Sequence, residues 1–208
     1  MAQPLAQRRD EEQTRFVLPR ADQMHLWSRI QRRVTVNKET KEQVRGKLLL
    51  CDLAGCERIA IIALYPQYSA STSASVYDDV FRALLKLRWQ PAIRTAAPWH
   101  DHPAYIDALA QSVTDHLQSL DYQPEHIIAS FHGLPQRYFE KGDPYHCHCA
   151  KTARLLREKL GMDEDKLRLT FQSRFGPTKW LEPYTDKTVI EMAEQGVKKI
   201  AVVTPGFI

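Results

Sequence analysis

The chain has 208 residues, 43% hydrophobic and 26% charged, which suits one globular domain or two small ones and excludes a chain disordered throughout. Its net charge of +4 is mild; it is compatible with an anionic ligand or a lipid surface, and without a clustered basic face it predicts no nucleic-acid binding. Cysteines at 51, 56, 147 and 149 are too few and too uneven for a disulfide framework, which points to a reducing compartment, the cytoplasm. No apolar run approaches the ~20 residues of a membrane span. Asp10, Glu11 and Glu12 interrupt the N-terminal arginines, which argues against a signal or transit peptide.

In chain order, residues 1–24 are polar and irregular and read as a flexible lead. From His25 to Arg58 the pattern predicts a β-hairpin, with strands through Trp27–Val36 and Gly46–Leu53 and a polar turn at Asn37–Thr40. Beyond it, strands alternate with helices: a strand at Ile59–Leu64, then a helix at Ser75–Arg88 with Val76, Val80, Phe81, Leu84 and Leu87 on one face. A short strand at Ala92–Ala96 follows. Asp101 is the expected N-cap, with Pro103 in the first turn, of a helix whose stripe is Ile106, Leu109, Ala110, Val113 and Leu117. The run IIASF at Ile127–Phe131 reads as a buried parallel strand, broken by Gly133 and Pro135. Asp143 and Pro144 open a helix to about Leu160 that Gly161 stops. A strand at Leu167–Phe171, a helix at Thr185–Gln195 ended by Gly196, and a strand at Lys199–Thr204 complete the chain. This alternation means βαβ units and a mostly parallel sheet, so the fold class is α/β.

Three places carry chemistry. His132 stands at the carboxyl end of a strand, where open α/β sheets bind their ligands, and the bland alternative is a histidine bonded to its own loop. Tyr65 and Pro66 end a strand in the same way, so Tyr65, Ser69 and Thr72 belong along the same edge. Tyr65 and Tyr68 also suit ordinary aromatic packing. His146, Cys147, His148 and Cys149 are dense in soft ligands, but at the start of a helix neighbours point about 100° apart and converge poorly on a metal. They are read as a loop and helix start. Finally, QSRFGPTKW follows a strand, and Arg174 and Lys179 can meet carboxylates or lie solvated. Trp180 can stack on a flat ligand or plug the core.

Four longer words give these residues a context. LYPQYSAST (64–72), SFHGLPQRYFEKGDPYHCHC (130–149), TFQSRFGPTKWLEPYTD (170–186) and VVTPGF (202–207) resemble ferrochelatase in that family's order and spacing, over residues 55–207. The resemblance implies two similar Rossmann-like half-domains, each a parallel sheet with flanking helices, of which 55–120 would be part of the first and 121–208 part of the second, with residues 1–54 outside the family. It implies a lyase of heme biosynthesis that inserts Fe²⁺ into protoporphyrin IX to form protoheme. His132 would contact the metal or take pyrrole protons, and Tyr65, Ser69, Thr72 and Trp180 would line the porphyrin. Neutral imidazole suits that work, since its ordinary pKa of about 6.5 lets it hold a proton or a divalent first-row metal.

No cofactor is required on this reading; Fe²⁺ is a substrate. Some family members carry a [2Fe–2S] cluster, but with most of its ligands in a C-terminal stretch not found here. Protoporphyrin IX and Fe²⁺ are the partners, with a peripheral membrane contact compatible with the charge.

The 25–58 segment has a second resemblance. DLAGCER is similar to the DLAGSER of the kinesin nucleotide switch, with Cys56 in place of serine, but no G-x-x-x-x-G-K-[ST] phosphate cradle occurs. The two resemblances meet at Gly55–Ile59, read as a join by gene fusion, mis-splicing or design. The family's first strand is absent, and its glutamate-containing helix start would follow Phe207. The expectation is therefore a truncated chain that self-associates through open sheet edges and does not turn over. A non-catalytic porphyrin-binding remnant is the alternative function, and a kinesin-derived nucleotide or microtubule partner a weaker one.

Overall fold

The computed structural model describes residues 58–206 together with a short strand at Leu48–Leu50. The lead at 1–24, the first hairpin strand, Cys51, Cys56 and most of the join at 55–59 lie outside the described residues.

The chain divides into two compact units. The first holds β1 (Leu48–Leu50), β2 (Arg58–Ala63), β3 (Ala92–Thr95) and most of α1 (Ser73–Leu84). β2 lies centrally, antiparallel to β1 and parallel to β3, with Ile59 opposite Ile93. Strict alternation along β2 buries Ile59, Ile61 and Ala63, the signature of a strand covered on one face. Val80 and Leu84 of α1 pack on Ile59 and Ile61, with Tyr77, Leu87 and Ile93 at the margin. Phe81 does not share that face as the helical pattern predicted. It is 43% exposed, because Val76, Val80 and Leu84 already define the buried stripe and Phe81 lies beside it.

The second unit comprises Tyr65–Ala74 and the chain from Ala97 onward. It contains α2 (Pro103–Ser119), β4 (His126–His132), α3 (Gln136–Glu140), α4 (Tyr145–Leu160), β5 (Leu167–Gln172), α5 (Thr185–Glu194) and β6 (Ile200–Val203). Its sheet is fully parallel in the order β5-β4-β6. Central β4 is buried from Ile127 to Phe131, as a parallel strand covered on both faces should be. Ile127, Ala129 and Phe131 join Leu167, Phe171, Ala153, Leu156 and Cys149 in one core, to which α2 contributes Ala110 and Val113. Residues of α2, placed in the first half-domain by the sequence reading, thus belong to the core of the second unit.

Two helix starts depend on local chemistry. At α2 the cap is His102, not Asp101: the His102 Nδ1 accepts the Ala104 N–H at 3.3 Å. Asp101 is drawn away to Lys151 Nζ at 2.6 Å. At α4 the Asp143 carboxylate accepts the Tyr145 N–H at 3.0 Å, satisfying an N-terminal donor. Gly161 ends α4 in the left-handed conformation, φ 64°, which glycine adopts without a Cβ clash. The short helix α3 was not foreseen; it begins directly after Pro135, whose fixed φ pre-sets a turn.

Candidate active site at the carboxyl edge of the second sheet

His132 ends β4 directly opposite Gln172, the last residue of β5. The Gly133 N–H continues the ladder to the Gln172 carbonyl at 2.7 Å. Alternation along the strand puts His132 on the same sheet face as Ile128 and Ser130, opposite the Ile127, Ala129 and Phe131 core. On that face the Ser130 hydroxyl meets Thr185 Oγ1 at 2.9 Å, and Thr170 Oγ1 meets it at 2.8 Å. His132 itself is half-buried.

Past the strand ends the two following loops are stitched together. The Gln136 N–H donates to the Lys179 carbonyl, and the Leu181 N–H to the Leu134 carbonyl, both at 2.9 Å. Residues 133–136 and 179–181 therefore form one rim beyond His132. Trp180 is buried within it at 9% exposure, its indole N–H donating to the Phe175 carbonyl at 2.9 Å. Ser173 opens this loop with φ 67°, an uncommon conformation for a residue with a Cβ. Arg174 is engaged inside the loop: its guanidinium lies over the Tyr184 ring at 4.2 Å and pairs with Asp186 at 2.5 Å.

The loop that carries Tyr65, Ser69 and Thr72 reaches the same edge. A Cβ on Gly206, which follows β6, would lie 3.3 Å from Gln67 Oε1 and 3.6 Å from the Phe131 ring, so Gln67 sits against the ends of β4 and β6. Tyr65 is half-buried. Ser69 is fully buried and donates its hydroxyl to the Asp143 carboxylate at 2.9 Å. Thr72 turns its hydroxyl to the Ser69 carbonyl at 3.4 Å. Tyr105, from α2, donates to the Pro205 carbonyl, and burial pushes its phenol up to about 12.

The four soft ligands of α4 diverge. His146 packs between Phe139 and Phe171, at ring separations of 5.3 and 5.6 Å, and burial lowers its pKa. Cys147 is exposed while Cys149 is buried in the core. His148 stacks on His100 with ring centroids 3.7 Å apart. Among the described residues no group of three His, Cys, Asp or Glu side chains is placed to hold a metal ion. Burial holds the Cys149 thiol well above its ordinary pKa, and a buried thiol is a poor nucleophile. Alkylation of the native chain near neutral pH should therefore leave one adduct on the peptide carrying both cysteines, and a second only in denaturant. Mass mapping that finds two adducts on the native chain would contradict this placement of Cys149.

The Asp143 and His100 interactions were not visible in the sequence, because their partners lie far away along the chain. Only the helix-opening position of Asp143 was signalled.

A half-buried imidazole at the carboxyl end of a central parallel strand, rimmed by the loops of adjacent strands, defines an α/β protein whose candidate ligand edge lies at His132. Residues 37–208 match the ferrochelatase family. The chain is 64% identical over 155 residues to the ferrochelatase of Rhizobium meliloti, covering 74% of this chain and 46% of that protein. It is 64% identical over 154 residues to the ferrochelatase of Agrobacterium fabrum, covering 74% and 45%. With the ferrochelatase of Nitrobacter hamburgensis identity is 55% over 164 residues, covering 79% and 48%. The chain belongs to the ferrochelatase family, as the four sequence words implied, and spans about half the length of these curated relatives. The family match starts at residue 37, inside the segment that resembles kinesin.

Proposed function

We propose that this chain supplies the His132 wall of a site that inserts Fe²⁺ into protoporphyrin IX, forming protoheme and releasing two protons. The observation that carries the reading is the position of His132, half-buried at the end of the central strand β4 and in register with Gln172, in a chain of the ferrochelatase family. In this reading the imidazole takes a pyrrole proton or meets the incoming metal, roles open to neutral histidine. Tyr65, half-buried, offers flat surface to the macrocycle, while Trp180, buried within the rim, backs the wall rather than stacking on the ring. Ser69 and Thr72 act through the loop they close. Protoporphyrin IX and Fe²⁺ are the proposed partners. The free thiols of Cys147 and Cys149 support the cytoplasm as the compartment, and no helix among the described residues is long and apolar enough to cross a membrane.

The test is His132→Ala in the full chain, with protoporphyrin and Fe²⁺ or Zn²⁺ followed by absorbance. The expected outcome is loss of the metal-dependent spectral change with an unchanged far-UV circular dichroism spectrum. A variant that unfolds would support a structural histidine, and one that retains the spectral change would remove His132 from the chemistry.

A further inference from the structure

The loop at 67–70 makes hydrogen bonds, residue after residue, to side chains of a single neighbouring segment. Gln67 Nε2 donates to Thr152 Oγ1 at 3.1 Å. The Tyr68 N–H donates to His148 Nδ1 at 3.1 Å. Ser69 Oγ donates to Asp143 Oδ2 at 2.9 Å, and the Ala70 N–H to the same oxygen at 2.8 Å. His148 and Thr152 are one helical turn apart on α4 and so share a face. Asp143 stands just before that helix, and its other oxygen accepts the Tyr145 N–H at 3.0 Å. The arrangement extends inward. The single Thr152 hydroxyl hydrogen is shared between the His100 carbonyl at 2.9 Å and the His148 carbonyl at 3.0 Å. Tyr145, seated by Asp143, is buried in the same core cluster as Phe131, the residue directly before His132.

We infer that Asp143 and His148 are positioning residues for the porphyrin site: one carboxylate fixes both the 67–70 loop and the helix start that braces His132, while one imidazole fixes the loop between them. This rests on the functional reading above for its substrate. The physical reason is acceptor count. Two loop amides and one buried hydroxyl need acceptors. A carboxylate offers two oxygens with several lone pairs, and its bonds to N–H and O–H donors are charge-assisted. An asparagine in the same place keeps the shape but turns one oxygen into a donor, so it cannot serve the Tyr145 amide and the Ser69–Ala70 pair together. His148 must likewise present an unprotonated Nδ1. A phenylalanine keeps a ring to stack on His100 but has no acceptor, whereas an asparagine can offer its oxygen near the Nδ1 position.

The experiment uses the full chain and two readouts: amide hydrogen exchange at Tyr68 and Ala70, and quenching of protoporphyrin IX fluorescence on binding. Asp143→Asn should speed exchange at Ala70 by about tenfold and weaken porphyrin binding by a similar factor. His148→Phe should do the same at Tyr68, and His148→Asn should restore much of both. Unchanged exchange at Ala70 in Asp143→Asn and at Tyr68 in His148→Phe would overturn the clamp itself. Faster exchange with unaltered porphyrin affinity would overturn its positioning role. If Asp143→Asn does not fold, the His148 pair decides alone. Failure of the unsubstituted chain to bind porphyrin would overturn the functional reading, and the substrate half of this inference with it, while leaving the exchange result to judge the clamp.

Discussion

Replacing Gly133 with alanine should destabilise the chain by about 1–3 kcal/mol and lower its melting temperature by several degrees. A Cβ there would lie 2.8 Å from the Gln172 carbonyl oxygen and 3.3 Å from Cε3 of Trp180. The first contact decides the outcome. It is to backbone, and the same oxygen accepts the Gly133 N–H at 2.7 Å. The carbonyl cannot retreat without giving up a ladder bond, and the indole behind it is buried and anchored to Phe175. Relief must come from moving the end of β4, which carries His132 with it. The metal-dependent porphyrin signal should therefore fall more steeply than stability alone requires. Gly206→Ala provides the comparison, because its Cβ would meet the tip of the Gln67 side chain at 3.3 Å. Urea midpoints and porphyrin titrations of the two variants check the argument. Equal, small effects at both positions would show that the strand end yields freely.

Gly133 also shows what could be read from sequence. That a glycine broke the strand after His132 was plain; that it does so against the Gln172 carbonyl was not, since the partner belongs to another strand. The apolar run of β4, the Asp143–Pro144 helix start and the Gly161 stop were legible because each is a local pattern of a few residues. Long family words made membership of the ferrochelatase family legible in the same way. The 67–70 loop was read only as a candidate binding stretch. Its contacts span 74 positions from Ser69 to Asp143 and 85 from Gln67 to Thr152, and no periodicity reports such pairs. Arg174 illustrates the complementary case, left open between a ligand contact and a solvated charge. As an isolated cation it suited a carboxylate ligand, but Asp186 and Tyr184, brought back by the loop, already engage it. The Asp101 cap failed for the same reason, because Lys151 competes for that carboxylate and leaves His102 to close the helix.

The same long-range packing makes acid the condition to which the second unit should respond most strongly. His100 is 8% exposed, and its Nδ1 is buried without a hydrogen-bond partner among the described residues. Burial lowers its pKa from 6.5 to about 4, with the stacked His148 and Lys151 acting in the same direction and Asp101 opposing them. His148 is lowered as well, chiefly by burial, although Asp101 and Asp143 face it. A histidine with a depressed pKa is bound by fewer protons in the folded chain than in the unfolded one. Its contribution is therefore undiminished above about 6.5. As the pH falls below that value the unfolded chain takes up a proton that the folded chain refuses, and stability declines until about 4, where folded His100 titrates too. At ~1.4 kcal/mol per pH unit the His100 part of that loss is on the order of 3 kcal/mol. The carboxyl group of Asp101, held down by Lys151, adds its own loss only at lower pH, so the window between 6.5 and 4 belongs to the histidines. Protonating His148 also removes the acceptor for the Tyr68 amide, so exchange at that amide should quicken over the same range. His100→Phe keeps an aromatic ring against His148 and cannot titrate. Its urea midpoint should vary much less between pH 7.5 and pH 4.5 than that of the unsubstituted chain, leaving the smaller slopes of His146 and His148. Parallel pH profiles for the two proteins would show that His100 is not the group that couples folding to acid.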